Sequence, residues 1–173
     1  MTVYMKDYEV ETKEGQVTYI DITKKVRYSI ESSGISKGIC IVTTNHTTCS
    51  IFFEEFTHDI DENGTDFLLL DMDECLQKII PNHESSEIYR YPGDEHYHQV
   101  KSWKNHEQWL PNGDRSKLWN ADAHIKSSII GSSETFVVKN NELFVGITGY
   151  IYFVDFDRTR ERKRKFTVTV IGE

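Results

Sequence analysis

Cysteine and proline are both scarce, with three of each in 173 residues. Cys40, Cys49 and Cys75 are odd in number, and no two stand at Cys-x-x-Cys spacing. That argues against a disulfide framework and against a thiolate zinc site. No apolar run approaches the ~20 residues that a bilayer-spanning helix needs. Residues 1–10 carry Lys6, Asp7 and Glu9 where a secretory signal would have its apolar core. A cytoplasmic protein with no membrane partner is expected. There is no Gly-rich phosphate loop, nucleophile elbow or Walker motif. Positive charge is in deficit too: 20 Lys and Arg against 28 Asp and Glu leave a formal charge of −8. Such a chain repels phosphate backbones, so no nucleic-acid partner is expected, while a local basic site stays compatible with the composition.

What is present suffices for a folded core. Hydrophobic residues make up 38% and aromatics 12%, and 173 residues suit one domain, 1–173. Residues 3–12 and 16–20 alternate weakly and predict strands around a Glu14-Gly15 turn. Asp21 then caps a helix whose stripe is Ile22, Val26 and Ile30, with Gly34 as its stop. Residues 38–42 predict a buried strand and 50–53 another. A long helix is expected over 59–80, with Phe67, Leu70, Cys75 and Ile79 near one face and Pro81 at its end. Residues 82–119 hold two of the three prolines, four histidines and three tryptophans. That is too long for a plain connection and predicts an ordered functional loop with short helical pieces. A helix over 124–130 follows, capped by Asn120 or Asp122 and stopped by Gly131. Strands are then expected over 134–139, 142–145, 150–157 and 165–171, with Asn140-Asn141 at a hairpin. Two helical blocks among at least seven strands give an α+β class with a mostly antiparallel sheet.

Two of the seven histidines have informative surroundings. His46 follows the buried strand among Thr43, Thr44, Thr47 and Thr48. His124 opens its helix with Ser127 and Ser128 at i+3 and i+4. The amino end of that helix suits an anion such as phosphate. His96 and His98 would share one side of an extended segment. For each of these, a hydrogen-bonded or solvated structural histidine is the alternative. Glu54 and Glu55 end a strand, where a carboxylate can serve as general base or stand solvated. Arg158, Arg160, Arg162 and Arg164 alternate after another strand. Arginine forks suit phosphate; for Arg162 and Arg164 the expected role is a solvated turn and edge.

Gly38-Ile39-Cys40-Ile41-Val42 with His46-Thr47-Thr48, Glu55 downstream, and the run from Asn120 through Ala121-Asp122-Ala123-His124-Ile125-Lys126-Ser127-Ser128 to Gly131 resemble the YjbQ-like family. That family is also called the secondary thiamine-phosphate synthase family. The closing Val170-Ile171-Gly172-Glu173 fits as well. The resemblance covers most of the chain, and the His124 run is its most specific part. It implies the YjbQ-like α+β fold, a homotrimer with pockets near subunit boundaries, and a cluster of three histidines. Two map onto His46 and His124; His98 is the third, with His96 and then His106 as alternatives. The family glutamate maps to Glu55 and its late acidic residue to Asp155. Two departures are plain: Thr148-Gly149-Tyr150 stands where relatives often carry Trp-Gln-Gly, and 82–119 is expanded.

Three imidazoles favour zinc or a similar transition metal. The expected arrangement has His46, His98 and His124 on the ion. Glu55, with His46, works on a bound water, and Ser127, Ser128 and Arg158 receive an anionic group. The expected function is a metal-dependent enzyme acting on a small phosphorylated or anionic metabolite, with weak thiamine-phosphate synthase activity implied by the resemblance. The alternative is a non-catalytic homotrimeric metabolite- or metal-binding protein.

Overall fold

The computed structural model describes residues 1–173. The strands are β1 (Thr2–Thr12), β2 (Thr18–Asp21), β3 (Lys37–Thr43), β4 (Cys49–Glu55), β5 (Ser133–Lys139), β6 (Glu142–Leu143), β7 (Gly149–Asp155) and β8 (Arg162–Gly172). The helices are α1 (Thr23–Ser33), α2 (Phe67–Ile79), α3 (Asp94–Lys101) and α4 (Ala121–Ile130), with three short 3-10 turns between α3 and α4. One sheet runs β1-β8-β3-β5-β6 and a second runs β2-β7-β4. Every pairing is antiparallel. The α+β class is as expected.

Strand β7 explains the layering. Successive side chains of a strand face opposite ways, and β7 is buried on both faces. Ile151 and Phe153 join Cys40, Val42, Phe166, Val168 and the α1 stripe in the larger core. Tyr152 and Val154 join Phe52, Leu69 and Ala123 in a second cluster under α2 and α4. The small sheet is thus sandwiched between the large sheet and two helices. Residues Ile22, Val26 and Ile30 have no exposed surface. Gly34 ends α1 at φ 66°, a left-handed stop that a Cβ would strain.

Helix α2 is shorter than the sequence suggests. It begins at Phe67 because the polar run before it finds local bonds that compete with helix. The Asp61 carboxylate accepts from the Asn63 and Thr65 N–H groups at 2.9 and 2.8 Å. Asp66 caps the helix through the Leu68 N–H at 2.9 Å and also receives the Thr57 N–H and hydroxyl, both at 2.7 Å. The packed face is Leu69, Met72 and Leu76, whereas Phe67, Cys75 and Ile79 are exposed.

Residues 82–119 fold as a satellite with its own small core of Tyr97, Val100, Leu110 and Leu118, flanked by Trp109. It is ordered and contains short helical pieces, as expected. Helix α4 starts three residues before His124, so that histidine lies one turn inside it.

Asp66 serves three donors while 2% exposed. Asp66→Ala is expected to lower unfolding stability by roughly 2 kcal/mol, through the lost cap and the stranded Thr57 donors. Urea titration of both proteins measures it.

Candidate functional site

The carboxyl end of β7, the amino ends of β4 and β8, the start of α4 and the 82–119 satellite meet around one cavity of about 370 Å3. His46, His96 and His124 all line it, with Asp157, Arg160, Arg162 and Arg164. Tyr91, Trp103 and Trp109 close the satellite side. A volume of this order suits a small metabolite.

The charged wall follows from strand alternation. In β8 the core residues Phe166, Val168 and Val170 are even-numbered, and Arg162 and Arg164 continue that inward face. They are therefore not a solvated edge, contrary to expectation. In β7 and just beyond it, Asp155 and Asp157 continue the face of Ile151 and Phe153. Asp155 has no exposed surface. It accepts from Arg164 Nε at 2.7 Å and from the Thr12 and Thr48 hydroxyls at 3.1 and 3.3 Å. Asp157 takes Arg162 at 2.7 Å and the Asn120 amide at 2.7 Å. Arg160 has no carboxylate partner. Its guanidinium donates to the Gln108 carbonyl at 2.7 Å and lies 4.9 Å from the Trp109 ring centre. Burial, then Arg162 beside it, lowers its pKa to about 10, so it stays charged at neutral pH.

The histidines are not equivalent. His46 Nε2 accepts the Lys165 N–H at 2.9 Å. The neutral ring therefore carries its proton on Nδ1 and has no free lone pair. Burial lowers the His124 pKa, so its ring is neutral at neutral pH and carries one N–H and one acceptor nitrogen. His96 Nε2 meets the Tyr91 hydroxyl at 3.2 Å. No three His, Cys, Asp or Glu side chains converge closely enough to hold a metal ion. With His46 in this tautomer, the set as oriented does not fit one.

Several expected residues lie elsewhere. His98 is exposed and lines another cavity with His106. The segment is helical, so residues two apart point about 200° apart, and His96 takes the inward place that the extended reading gave jointly to both. Glu55 is at the far end of β4, roughly 20 Å along the strand from the His46 end, and pairs with Gly149. It cannot reach a water in this cavity within one chain. Ser127 donates to the Cys49 carbonyl at 2.7 Å and Ser128 to the His124 carbonyl at 2.8 Å. Their protons are engaged, and they line an adjoining opening beside Gly131 that shares Asn45, His46 and Thr47 with the histidine cavity. At the amino end of α4 the Ala121 N–H donates to His83 Nδ1 at 3.3 Å. Arg158 faces Asp122 at 3.7 Å in a neighbouring cavity. The residues that sequence reasoning missed are Asp157 and the inward arginines, whose signal was the period-2 pattern running on from the apolar ends of β7 and β8. Tyr91, Trp103 and Trp109 carried no such signal.

The family model described as "UPF0047 protein YjbQ-like" matches residues 6–173. The chain is 28% identical to a UPF0047 protein of Methanocaldococcus jannaschii over 96% of this chain and 93% of that one. It is 30% identical to one of Archaeoglobus fulgidus over 86% and 88%. Among solved structures, a YbjQ-like protein of unknown function from Sulfolobus solfataricus superposes with a TM-score of 0.69 at 27% identity, covering 99% of both chains. A YjbQ/UPF0047 protein from Clostridium acetobutylicum gives 0.67 at 28%, over 96% of this chain and 99% of that one. No helix of the chain is long and apolar enough to cross a membrane.

His46, His83 and His124 are all lowered, with burial the largest cause in each. The unfolded chain, with histidines near 6.5, therefore binds more protons than the folded one at mildly acid pH. Stability from these rings is complete above about pH 6.5 and is lost as pH falls through their folded values. Urea midpoints measured downward from pH 7.5 should decline from about pH 6.5, and His46→Gln should flatten part of that decline.

Proposed function

The chain belongs to the YjbQ-like UPF0047 family, and from the charge of the histidine cavity we propose that it binds a small phosphorylated or otherwise anionic metabolite there and acts on it through His124. The observation that carries this reading is Arg160. Arg162 and Arg164 are each matched to a buried aspartate, whereas Arg160 is left uncompensated in the same wall. An uncompensated guanidinium is a strong, planar partner for phosphate or carboxylate oxygens. The overall charge of −8 works against anion capture at a distance, so a local positive site must supply the attraction. The part of the ligand away from its charge packs on Trp103 and Trp109. His124, a neutral imidazole on the cavity lining, takes a proton from the bound molecule.

The thiamine-phosphate synthase reaction implied by the resemblance expels pyrophosphate, a step that ordinarily draws on magnesium held by oxygen ligands. Asp155 and Asp157 are both committed to arginine, which supports that reaction as a secondary activity beside another phosphorylated native substrate. A transition metal such as zinc on His46, His96 and His124 is the second reading. It is favoured by three imidazoles lining one cavity and requires His46 to release the Lys165 N–H and turn. Self-association, which the resemblance implies as a homotrimer, is supported by an apolar row across the outer face of the large sheet. Val3 pairs with Ile171, Ile171 with Ile39 and Ile39 with Val137, and Val3, Ile39 and Val137 are exposed.

Calorimetry with inorganic phosphate and pyrophosphate, beside turnover of a phosphoester panel and the thiamine precursors, tests the reading. Arg160→Gln should weaken binding about tenfold, or ~1.4 kcal/mol. His124→Ala should keep binding and lose turnover. Binding unchanged in Arg160→Gln would remove the proposal. Retention without any turnover would leave a binding module. Stoichiometric metal on elemental analysis, lost in His46→Ala, would favour the second reading.

A further inference from the structure

A second cavity, of about 320 Å3, opens between the edge strand β2, β7 and the loop leading into α2. It shares none of its lining with the histidine cavity. Its walls combine aromatic rings with negative charge. Tyr19, Phe56, Tyr150 and Tyr152 supply the rings, and Phe56 and Tyr150 lie 5.3 Å apart at 54°. Glu11, Asp21 and Asp66 supply three carboxylates against the single ammonium of Lys13.

Tyr152 points to what the cavity takes. Its side chain is only 4% exposed, yet its hydroxyl has no hydrogen-bond partner. A buried polar group left unmatched costs free energy unless a ligand completes it. Burial, followed by the nearby charges of Asp21 and Asp66, pushes this phenol's pKa upward. The hydroxyl therefore sits in a negative field from two of the cavity's own walls. Asp21 accepts the Thr23 N–H at 2.8 Å through Oδ1, and its other oxygen has no protein partner. Asp66 has its oxygens occupied by Thr57 and Leu68 and contributes charge alone.

Aromatic faces beside carboxylates attract cations. Rings alone would satisfy a quaternary ammonium, which has no N–H to give. An unmatched hydroxyl and a free carboxylate oxygen ask for a cation that donates. We propose that this cavity is a second ligand site, for a small primary alkylammonium ion, whose N–H groups reach Tyr152 and Asp21 while its carbon chain lies against Phe56 and Tyr150. It is separate from the anion site and stands whether or not that reading holds.

The test is a titration of the isotope-labelled full chain with n-butylammonium at fixed ionic strength, following the amides of Gly64, Thr65 and Tyr150 by NMR. Tetramethylammonium and butyrate serve as comparison probes. Saturable shifts are expected with butylammonium, affinity at least about fivefold weaker with tetramethylammonium, and no response to butyrate. Asp21→Asn, which keeps an acceptor for Thr23, and Tyr152→Phe should each weaken butylammonium about fivefold. Their remaining amide shifts should match the parent, which shows that the fold is intact. Equal binding of tetramethylammonium, unchanged affinity in both variants, or no saturable shift would each overturn the site.

Discussion

The Asp155–Arg164 pair joins the two sheets at the point where the histidine cavity opens. Asp155 ends β7 in the small sheet, and Arg164 lies near the start of β8 in the large one. The same carboxylate receives hydroxyls from Thr12 on β1 and Thr48 before β4. A charge with no exposed surface is costly to desolvate and is tolerated only where donors surround it. Five donors meet that need: Arg164 Nε and Nη2, the Thr12 and Thr48 hydroxyls, and the Asp157 N–H. Their price in chain entropy is set against a fixed geometry: the His46 loop, the end of β1 and the arginine strand are held in register around one carboxylate. The tautomer of His46 follows from that anchoring, since the strand whose Lys165 N–H it accepts is held by the same carboxylate.

Much of this was legible in the sequence, and the parts that were not fail for identifiable reasons. The Ile22, Val26, Ile30 stripe and the Gly34 stop are local signals, and the structure bears them out because nothing tertiary competes with them. The Asn140-Asn141 hairpin is similar, with both residues at positive φ, 56° and 64°. Helix α2 was overextended because Asp61, Asn63 and Asp66 prefer their own backbone bonds to a helical turn. The expectation that His96 and His98 face one side assumed an extended segment; the segment is helical, where residues two apart oppose one another, and only His96 lines the cavity of His46 and His124. Ser127 and Ser128 have the right chemistry and the right helix, but their protons go to the Cys49 and His124 carbonyls. Sequence shows a hydroxyl and not its partner.

The arginines teach the opposite lesson. Arg162 and Arg164 looked like a charged turn because composition dominated the reading. Their parity with Phe166, Val168 and Val170 was already in the sequence, and it places them inward. Parity applied to Ile151 and Phe153 does the same for Asp155 and Asp157. Two strands that continue their core faces past the apolar core, with opposite charges, produce a matched wall without any motif. Such a wall is invisible to pattern matching and legible to period-2 counting.

The 82–119 satellite adds side chains that the two sheets do not supply. Its small core lets Trp103 and Trp109 stand against the arginine wall, and the Gln108 carbonyl holds Arg160 in place at 2.7 Å. The cation that carries the anion-binding reading is thus positioned by residues outside the two sheets. A relative with a shorter link would lack both that carbonyl and the Trp109 face, and its equivalent arginine would be free to extend into solvent. The chemistry near His46 and His124 can then be shared across the family while the depth and selectivity of the cavity differ. In that sense the aromatic wall of the cavity and the setting of Arg160 belong to the satellite, and His46, His124 and the paired arginines belong to the sandwich beneath it.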